Sequence, residues 1–284
     1  ARRGQFVNFR SQLRFPTKLG IVPYRAMDNN FRNKKVVIMG LGLHGGGLSS
    51  ALFFAKTGAR VLVTDLKSKK ELAPSIKKLT KNKNVTFVLG RHRTNDFEKA
   101  DLIIRNPAVP NDSKYLQIAR KSNIPVHTDV SWFLSLLHAN PSQERVEIIG
   151  ITGTKGKSST AALLHYVLEK CGKKSLLAGN IQKSPLDFLN IKNSQFLILE
   201  LSSWHLESLH EHKISPSIAL ITNILPDNLN RYASFEEYAK SKTFIYVNKS
   251  PSDVVFLNES DPFSKTYVTA LVPTSSQVTW FSRT

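Results

Sequence analysis

The stretch Val146-Glu-Ile-Ile-Gly-Ile-Thr-Gly-Thr-Lys-Gly-Lys-Ser-Ser-Thr160 decides the fold. An apolar, strand-like run enters a glycine-rich turn, and Lys157, Ser158 and Ser159 lead into the helical pattern AALLHYVLEK. Glycines let backbone N–H groups converge on a polyphosphate, and the positive end of the helix dipole adds to the field. In such a loop Lys157 reaches the β- and γ-phosphates and the Ser158 hydroxyl holds Mg²⁺. The run departs from G-x-x-x-x-G-K-[ST] at its first glycine position, which is Ile151, with Gly150 and Gly153 nearby instead. The competing reading is a chance Gly/Lys/Ser turn, and the strand before and helix after weigh against it.

Outward from this loop the chain alternates strands and helices. Lys34–Met39 reads as a buried strand, followed by GLGLHGGG, a helix over Leu48–Thr57 and a strand over Arg60–Thr64 ending at Asp65. Strands at Val85–Leu89 and Asp101–Arg105 and helices at Ser113–Ser122 and Val130–His138 follow. After the phosphate loop come strands at Lys174–Ala178, Gln195–Leu201, Ser217–Thr222 and Asp253–Leu257, with a helix over Ser234–Val247. This alternation predicts an α/β protein with parallel sheets covered on both faces. The expected units are a basic extension outside the fold (1–30), a Rossmann-like domain (31–138), a polar linker (139–145) and a P-loop ATPase-like domain (146–284). The closing VTWFSRT reads as a strand entering a domain that is not finished.

Gly40, Gly42 and Gly45 satisfy G-x-G-x-x-G, and Asp65 ends the next strand. That is a dinucleotide fingerprint, although a nucleotide-sugar diphosphate uses the same turn. Glu200 ends an apolar strand beside the phosphate loop, where a carboxylate can hold Mg²⁺; an exposed strand-end glutamate is the bland alternative. His205, after SSW, reads equally well as a polar surface residue. Asp227, Asn228 and Asn230 lie in a polar loop that suits an ion or ordinary Asx-turns. Lys242, taken alone, reads as a solvated helix lysine.

The formal charge is +19. The basic residues are scattered, as in KSKKELAPSIKKLTKNK (Lys67–Lys83), where a solvated helix and loop explain them. No zinc-finger spacing or aromatic-interleaved basic motif argues for a nucleic-acid partner. One cysteine, Cys171, leaves no internal disulfide and fits a reducing compartment. No apolar run approaches the ~20 residues that span a bilayer. Ala1–Ala26 carries six basic residues and no acid; a targeting peptide has that character, but little serine is present and Met27 reads as lying near the start. A cytoplasmic monomer without nucleic-acid or membrane partner is expected.

Taken together, GITGTKGKSST, the Ala178–Asn180 AGN, LELSSWHLE, NILPDNLNRY and the helix carrying Lys242 resemble the Mur ligase family in order and spacing. GLGLHGGG, VTDLKS and RNPAVP resemble its D-glutamate-adding branch, over roughly Phe31 to the C-terminus. The resemblance implies an ATP- and Mg²⁺-dependent ligase joining D-glutamate to UDP-N-acetylmuramoyl-L-alanine through an acyl phosphate in peptidoglycan precursor synthesis. It implies ATP binding by Gly153, Thr154, Lys155, Gly156, Lys157, Ser158 and Ser159, with Lys157, Glu200 and Lys242 in the chemistry. Metal ligands would be Ser158, Glu200 and, once carbamylated, Lys242. Leu43, His44, Asp65, Leu66, Asn106 and Pro107 would grip the uridine diphosphate, and Asn180 and His205 the muramoyl-alanine end. The sequence departs from the family at Asn228, where a metal-binding His is usual, and at His205, where Gln is usual. The family's remaining ATP-binding elements and its C-terminal ligase domain are absent from these residues, so the chain alone is expected not to ligate. Rival expectations are an NAD-dependent oxidoreductase and a non-catalytic UDP-sugar-binding protein.

Overall fold

The computed structural model describes residues 31–43, 45–138, 146–181, 183–188, 194–227, 231–250, 253–268 and 277–282. The expected extension (1–30) and linker (139–145), with His44, Asn228 and Asn230, lie outside them.

The first sheet has the order β3-β2-β1-β4-β5, with β1 Lys35–Met39, β2 Arg60–Asp65, β3 Val85–Leu89, β4 Leu102–Arg105 and β5 Val126–His127, all parallel. Its strands are apolar on both faces because both are covered. Val36 and Ile38 face the core under α1 (Gly46–Lys56), α2 (Ala73–Leu79) and α5 (Asp129–His138). Val37 and Met39 face α3 (Thr94–Glu98) and α4 (Lys114–Lys121) through Phe97, Leu116 and Ala119. Met39 pairs with Thr64 on one side and Arg105 on the other. That register brings the glycine turn, Asp65 and Asn106 to one sheet edge, at the point where strand order reverses.

The second sheet has the order β11-β10-β9-β6-β8-β7, again parallel. Its strands are β6 Glu147–Thr152, β7 Ser175–Gly179, β8 Phe196–Glu200, β9 Ile218–Ile221, β10 Val254–Asn258 and β11 Gln277–Phe281. The helix α6 (Lys157–Lys170) packs Ala161, Leu164 and Leu168 on one face. The helices α7 (Ser203–Glu211) and α8 (Phe235–Thr243) pack Leu206, Leu209 and Ala239 on the other, and α9 (Pro262–Val268) follows β10. β6 lies between β8 and β9, so the phosphate loop also stands at a reversal point.

Element boundaries shift modestly from the expected ones. The helix after the first glycine turn starts at Gly46 rather than Leu48, and α8 ends at Thr243 rather than Val247. The lysine-rich stretch holds α2, which buries Ile76 and Leu79 and is therefore a packed helix with a basic outer face. Among the described residues no helix is long and apolar enough to cross a membrane.

The first glycine turn depends on a residue outside the G-x-G-x-x-G triplet. A Cβ on Gly47 would overlap the carbonyl oxygens of Gly40 and Leu41, so α1 can lie against the end of β1 only with glycine there. Gly47→Ala is expected to destabilise the chain by about 1–3 kcal/mol, as overpacking against rigid backbone does. Urea denaturation would show a lower midpoint; an unchanged midpoint would mean that α1 moves aside without cost.

Candidate active site

The phosphate loop is built between the ends of β6 and β9. Thr154 N–H donates to the Asn223 carbonyl at 2.9 Å and Lys155 N–H to Asn223 Oδ1 at 2.9 Å. Thr222 Oγ1 donates to the Lys155 carbonyl at 2.7 Å, and Thr154 Oγ1 to the Leu225 carbonyl at 3.1 Å. Gly153 has φ +142°, and a Cβ there would strike Thr222 Oγ1, so this crossing of chains requires glycine. Thr154 and Lys155 are thus bracing residues of the loop. Gly156 and the first turn of α6, with Lys157 and the exposed Ser158 and Ser159, face outward where a phosphate would be met.

Four charged side chains surround that turn. Lys157 Nζ donates to the Thr154 carbonyl at 2.9 Å, folded back on its own loop. Burial pushes its pKa down, while Glu200 and Asp227 pull it up. Glu200 is 1% exposed. Its Oε1 accepts from Asn180 Nδ2 at 3.0 Å, and its Oε2 has no partner among the described residues. Asp227 lies 3.8 Å from Lys155 Nζ. Lys242 is 2% exposed, with its Nζ 4.9 Å from the Tyr238 ring centroid. Burial first, and Lys157 second, lower its pKa from 10.5 to about 7, against the pull of Asp227. Burial disfavours the ammonium form, and a second cation adds to the effect.

At the first sheet's edge, Asp65 Oδ2 accepts from Leu41 N–H at 2.8 Å and Gly42 N–H at 3.3 Å, and Oδ1 from Lys67 N–H at 2.9 Å. Asn106 Oδ1 accepts from Ala108 N–H at 3.0 Å, and its Cβ packs beneath Gly40. Leu43 and Leu66 are both exposed large apolar side chains flanking this turn. The second unit meets the first at α1 and α5. Ser49 Oγ donates to Asp187 Oδ2 at 3.0 Å, and Ser184 Oγ to Asp129 Oδ2 at 2.7 Å. Asp129 Oδ1 lies 4.0 Å from His205 Nε2. His205 Nδ1 and Ser202 Oγ are 2.8 Å apart in a capping box at the start of α7.

Comparison with known proteins assigns both units. The Mur ligase middle domain matches residues 151–284, and the MurD-like N-terminal domain of Mur ligases matches residues 34–128. The chain belongs to the Mur ligase family. Over 234 residues it is 41% identical to the UDP-N-acetylmuramoylalanine–D-glutamate ligase of Borreliella afzelii (strain PKo), covering 82% of this chain and 49% of that protein. It is 39% identical over 250 residues to the enzyme of that name from Roseiflexus sp. (strain RS-1), covering 88% and 52%. The chain spans about half the length of the curated relatives it matches. Among solved structures, the Neisseria meningitides UDP-N-acetylmuramate:L-alanyl-gamma-D-glutamyl-meso-diaminopimelate ligase shares the fold. Its TM-score is 0.60 at 16% identity, over 88% of this chain and 78% of that one.

Within the Mur ligase fold, the predicted residues divide into two groups. Lys157, Glu200, Lys242, Asn180 and the serines converge on the phosphate loop, while Asp65, Leu43, Leu66, Asn106 and Pro107 share the edge of the first sheet. One reading made from an isolated residue is corrected, that of Lys242, and the alternatives left open for Glu200 and His205 are excluded. Lys242 is not solvated, because α8 turns it under the loop beside Tyr238. Glu200 is not an exposed strand end, because Asn180 and β6 enclose it. His205 is not a surface residue, because it caps α7 facing Asp129. Sequence reasoning missed Asp129 and the bracing pair Thr222 and Asn223. Their only sequence signal is a position at a helix start and a strand end.

A lysine whose folded-state pKa falls from 10.5 to about 7 binds fewer protons folded than unfolded between those values. Its unfavourable contribution is therefore full at and below pH 7 and is relieved as pH rises toward 10.5. Wild-type stability should rise between pH 7 and about pH 9. Lys242→Met should flatten that rise, leaving the parts due to buried Lys249, whose pKa burial lowers to about 8, and to Lys157, whose pKa burial also lowers. Urea denaturation at stepped pH measures it, and a wild-type slope in the variant would contradict the assignment.

Proposed function

We propose that the chain is the UDP-substrate- and ATP-binding part of a UDP-N-acetylmuramoylalanine–D-glutamate ligase. The observation that carries this reading is the convergence of Lys157, Glu200, Asp227 and Lys242 on one phosphate loop. The curated relatives of that name support the choice among Mur ligases. The match of both units to Mur ligase domains weighs against a dinucleotide oxidoreductase.

In this reading the first unit holds the uridine diphosphate on the glycine turn, and Asn180 and His205 lie toward the muramoyl-alanine end. The substrate carboxylate takes the γ-phosphoryl group of ATP, releasing ADP. The amine of D-glutamate then adds to the acyl carbon, and phosphate and a proton leave as the amide forms. Lys157 supports the charge on the transferring phosphoryl group, where it changes most. Among the described residues no group of three His, Cys, Asp or Glu could hold a metal by itself. The unpartnered Glu200 Oε2 and the Ser158 hydroxyl fit Mg²⁺ shared with nucleotide phosphates, which is how this ion is usually bound. Mg²⁺ there would neutralise charge on the phosphates and the acyl oxygen. Lys242 fits such a site only without its positive charge. A lysine with a pKa near 7 is largely neutral at pH 8 and can add CO₂ to become a carbamate, an anionic oxygen ligand. The reaction belongs in the cytoplasm, beside ATP and nucleotide-sugar pools, and the protein acts as a monomer.

With a protein of the relatives' full length, the test is phosphate release from ATP with UDP-N-acetylmuramoyl-L-alanine and a set of amino acids. D-glutamate should be preferred; preference for L-lysine or diaminopimelate would assign a sister activity. Lys157→Ala should reduce turnover at least a hundredfold, the scale of losing one transition-state contact, with UDP-substrate affinity nearly unchanged. Equal loss of both would sink the division of labour between the two units. Carbon-13 NMR in labelled bicarbonate should show a carbamate signal that disappears in Lys242→Arg, and its absence from wild type would remove the carbamate.

A further inference from the structure

Arg105 is the last residue of β4 and pairs with Met39, the residue just before the glycine turn. Its side chain is 0% exposed. Nη1 donates to the carbonyls of Pro107 at 3.3 Å and Val109 at 3.1 Å, while Nε and Nη2 have no partner among the described residues. A guanidinium stays charged under these conditions, so an uncompensated charge has been taken out of water at considerable cost.

The neighbouring carboxylates do not answer it. Glu211 accepts from Arg120 Nη2 at 2.8 Å and from Asn111 Nδ2 at 3.0 Å. Glu207 accepts from Arg231 Nη2 at 3.2 Å and from Tyr232 Oη at 2.6 Å. Arg105 interacts electrostatically with all four of these charged groups, and burial is the largest influence on it. Among Arg105 and the described charged groups that act on it, three guanidiniums face two carboxylates, and one positive charge is left over. The Arg105 backbone lies one strand from the glycine turn, and its Nη1 is tied to the carbonyls of Pro107 and of Val109, whose side chain lies against Gly40.

We propose that Arg105 is a positioning residue for the diphosphate of the UDP-substrate. Its buried charge is the countercharge to the bound diphosphate, and its Nη1 holds the Pro107 and Val109 carbonyls so that Asn106 stays beneath the turn. This rests on the reading of the first unit as the UDP site. In a low-dielectric setting a fixed, pre-oriented charge acts on an anion without rearrangement when the anion arrives. A lysine would keep the charge but not the planar fork that meets two carbonyls.

The test compares UDP with uridine by titration calorimetry, using Lys157→Ala as the parent so that the phosphate loop does not compete for phosphate. Arg105→Met should weaken UDP binding about tenfold or more, the scale of one charge interaction in a partly buried site, and leave uridine binding unchanged. Arg105→Lys should fall between. Equal weakening of UDP and uridine would reduce Arg105 to a loop brace and overturn the countercharge; unchanged UDP binding would overturn the proposal entirely. Failure of the parent to bind UDP would instead remove the site reading, and this inference with it. Should Arg105→Met not fold, Arg105→Gln supplies the same UDP-to-uridine ratio with a hydrogen-bond donor retained and the charge removed.

Discussion

The crossing of the phosphate loop over the end of β9 is the constraint on which the site rests. Gly153 must lack a side chain for Thr222 to approach, and Asn223 must turn its carbonyl and its amide oxygen toward Thr154 and Lys155. With those contacts made, Gly156 can enter the left-handed region and start α6, which points its first turn away from the sheet. The same strand end continues to Asp227 and then to the helix that carries Lys242. Phosphate site and acidic rim are therefore consequences of one local packing arrangement, not separately placed features.

The site gathers like charges. Lys157 disfavours the protonated form of Lys242, Lys155 disfavours that of Lys157, and burial acts on both. Glu200 offers a carboxylate oxygen without a partner among the described residues, at the edge where β8 meets β6. Such an arrangement is poorly compensated by itself and becomes balanced when an anion and a cation arrive together.

Much of the fold could be read directly. Apolar runs such as Lys35–Met39 and Phe196–Glu200 are strands because covered parallel sheets are apolar on both sides. The two glycine turns announced the strand-to-helix junctions. Helices were harder where burial was sparse: α2 hides two apolar residues among lysines, and α3 spans five residues. Single-residue environments were not legible. Nothing local to EEYAKSKTFIY says that Lys242 is turned inward, because that depends on the distant strand ends that α8 packs under. Gly47 escaped the motif for a similar reason, since its need for a missing Cβ comes from carbonyls six and seven residues earlier. The family resemblance supplied Lys242, which the bare pattern left ordinary, whereas the strand-end position of Glu200 beside the phosphate loop already pointed to a metal role.

The helix α7 has a further consequence. It starts three residues after Glu200, and its far end grips the first unit. Ser208 Oγ donates to Ser131 Oγ at 2.9 Å, and Glu211 meets Arg120. Just past the helix, a His212 ring nitrogen lies 2.8 Å from the Val126 carbonyl, and the ring stacks on His127 at 3.7 Å. A nine-residue helix is a rigid rod of roughly 13 Å. Tilting it by about 5° displaces one end relative to the other by roughly 1 Å. The rod therefore works as a lever with its handle in one unit and its tip beside the acidic strand end of the other. Any change in the angle between the two units would be felt at the seat of that carboxylate.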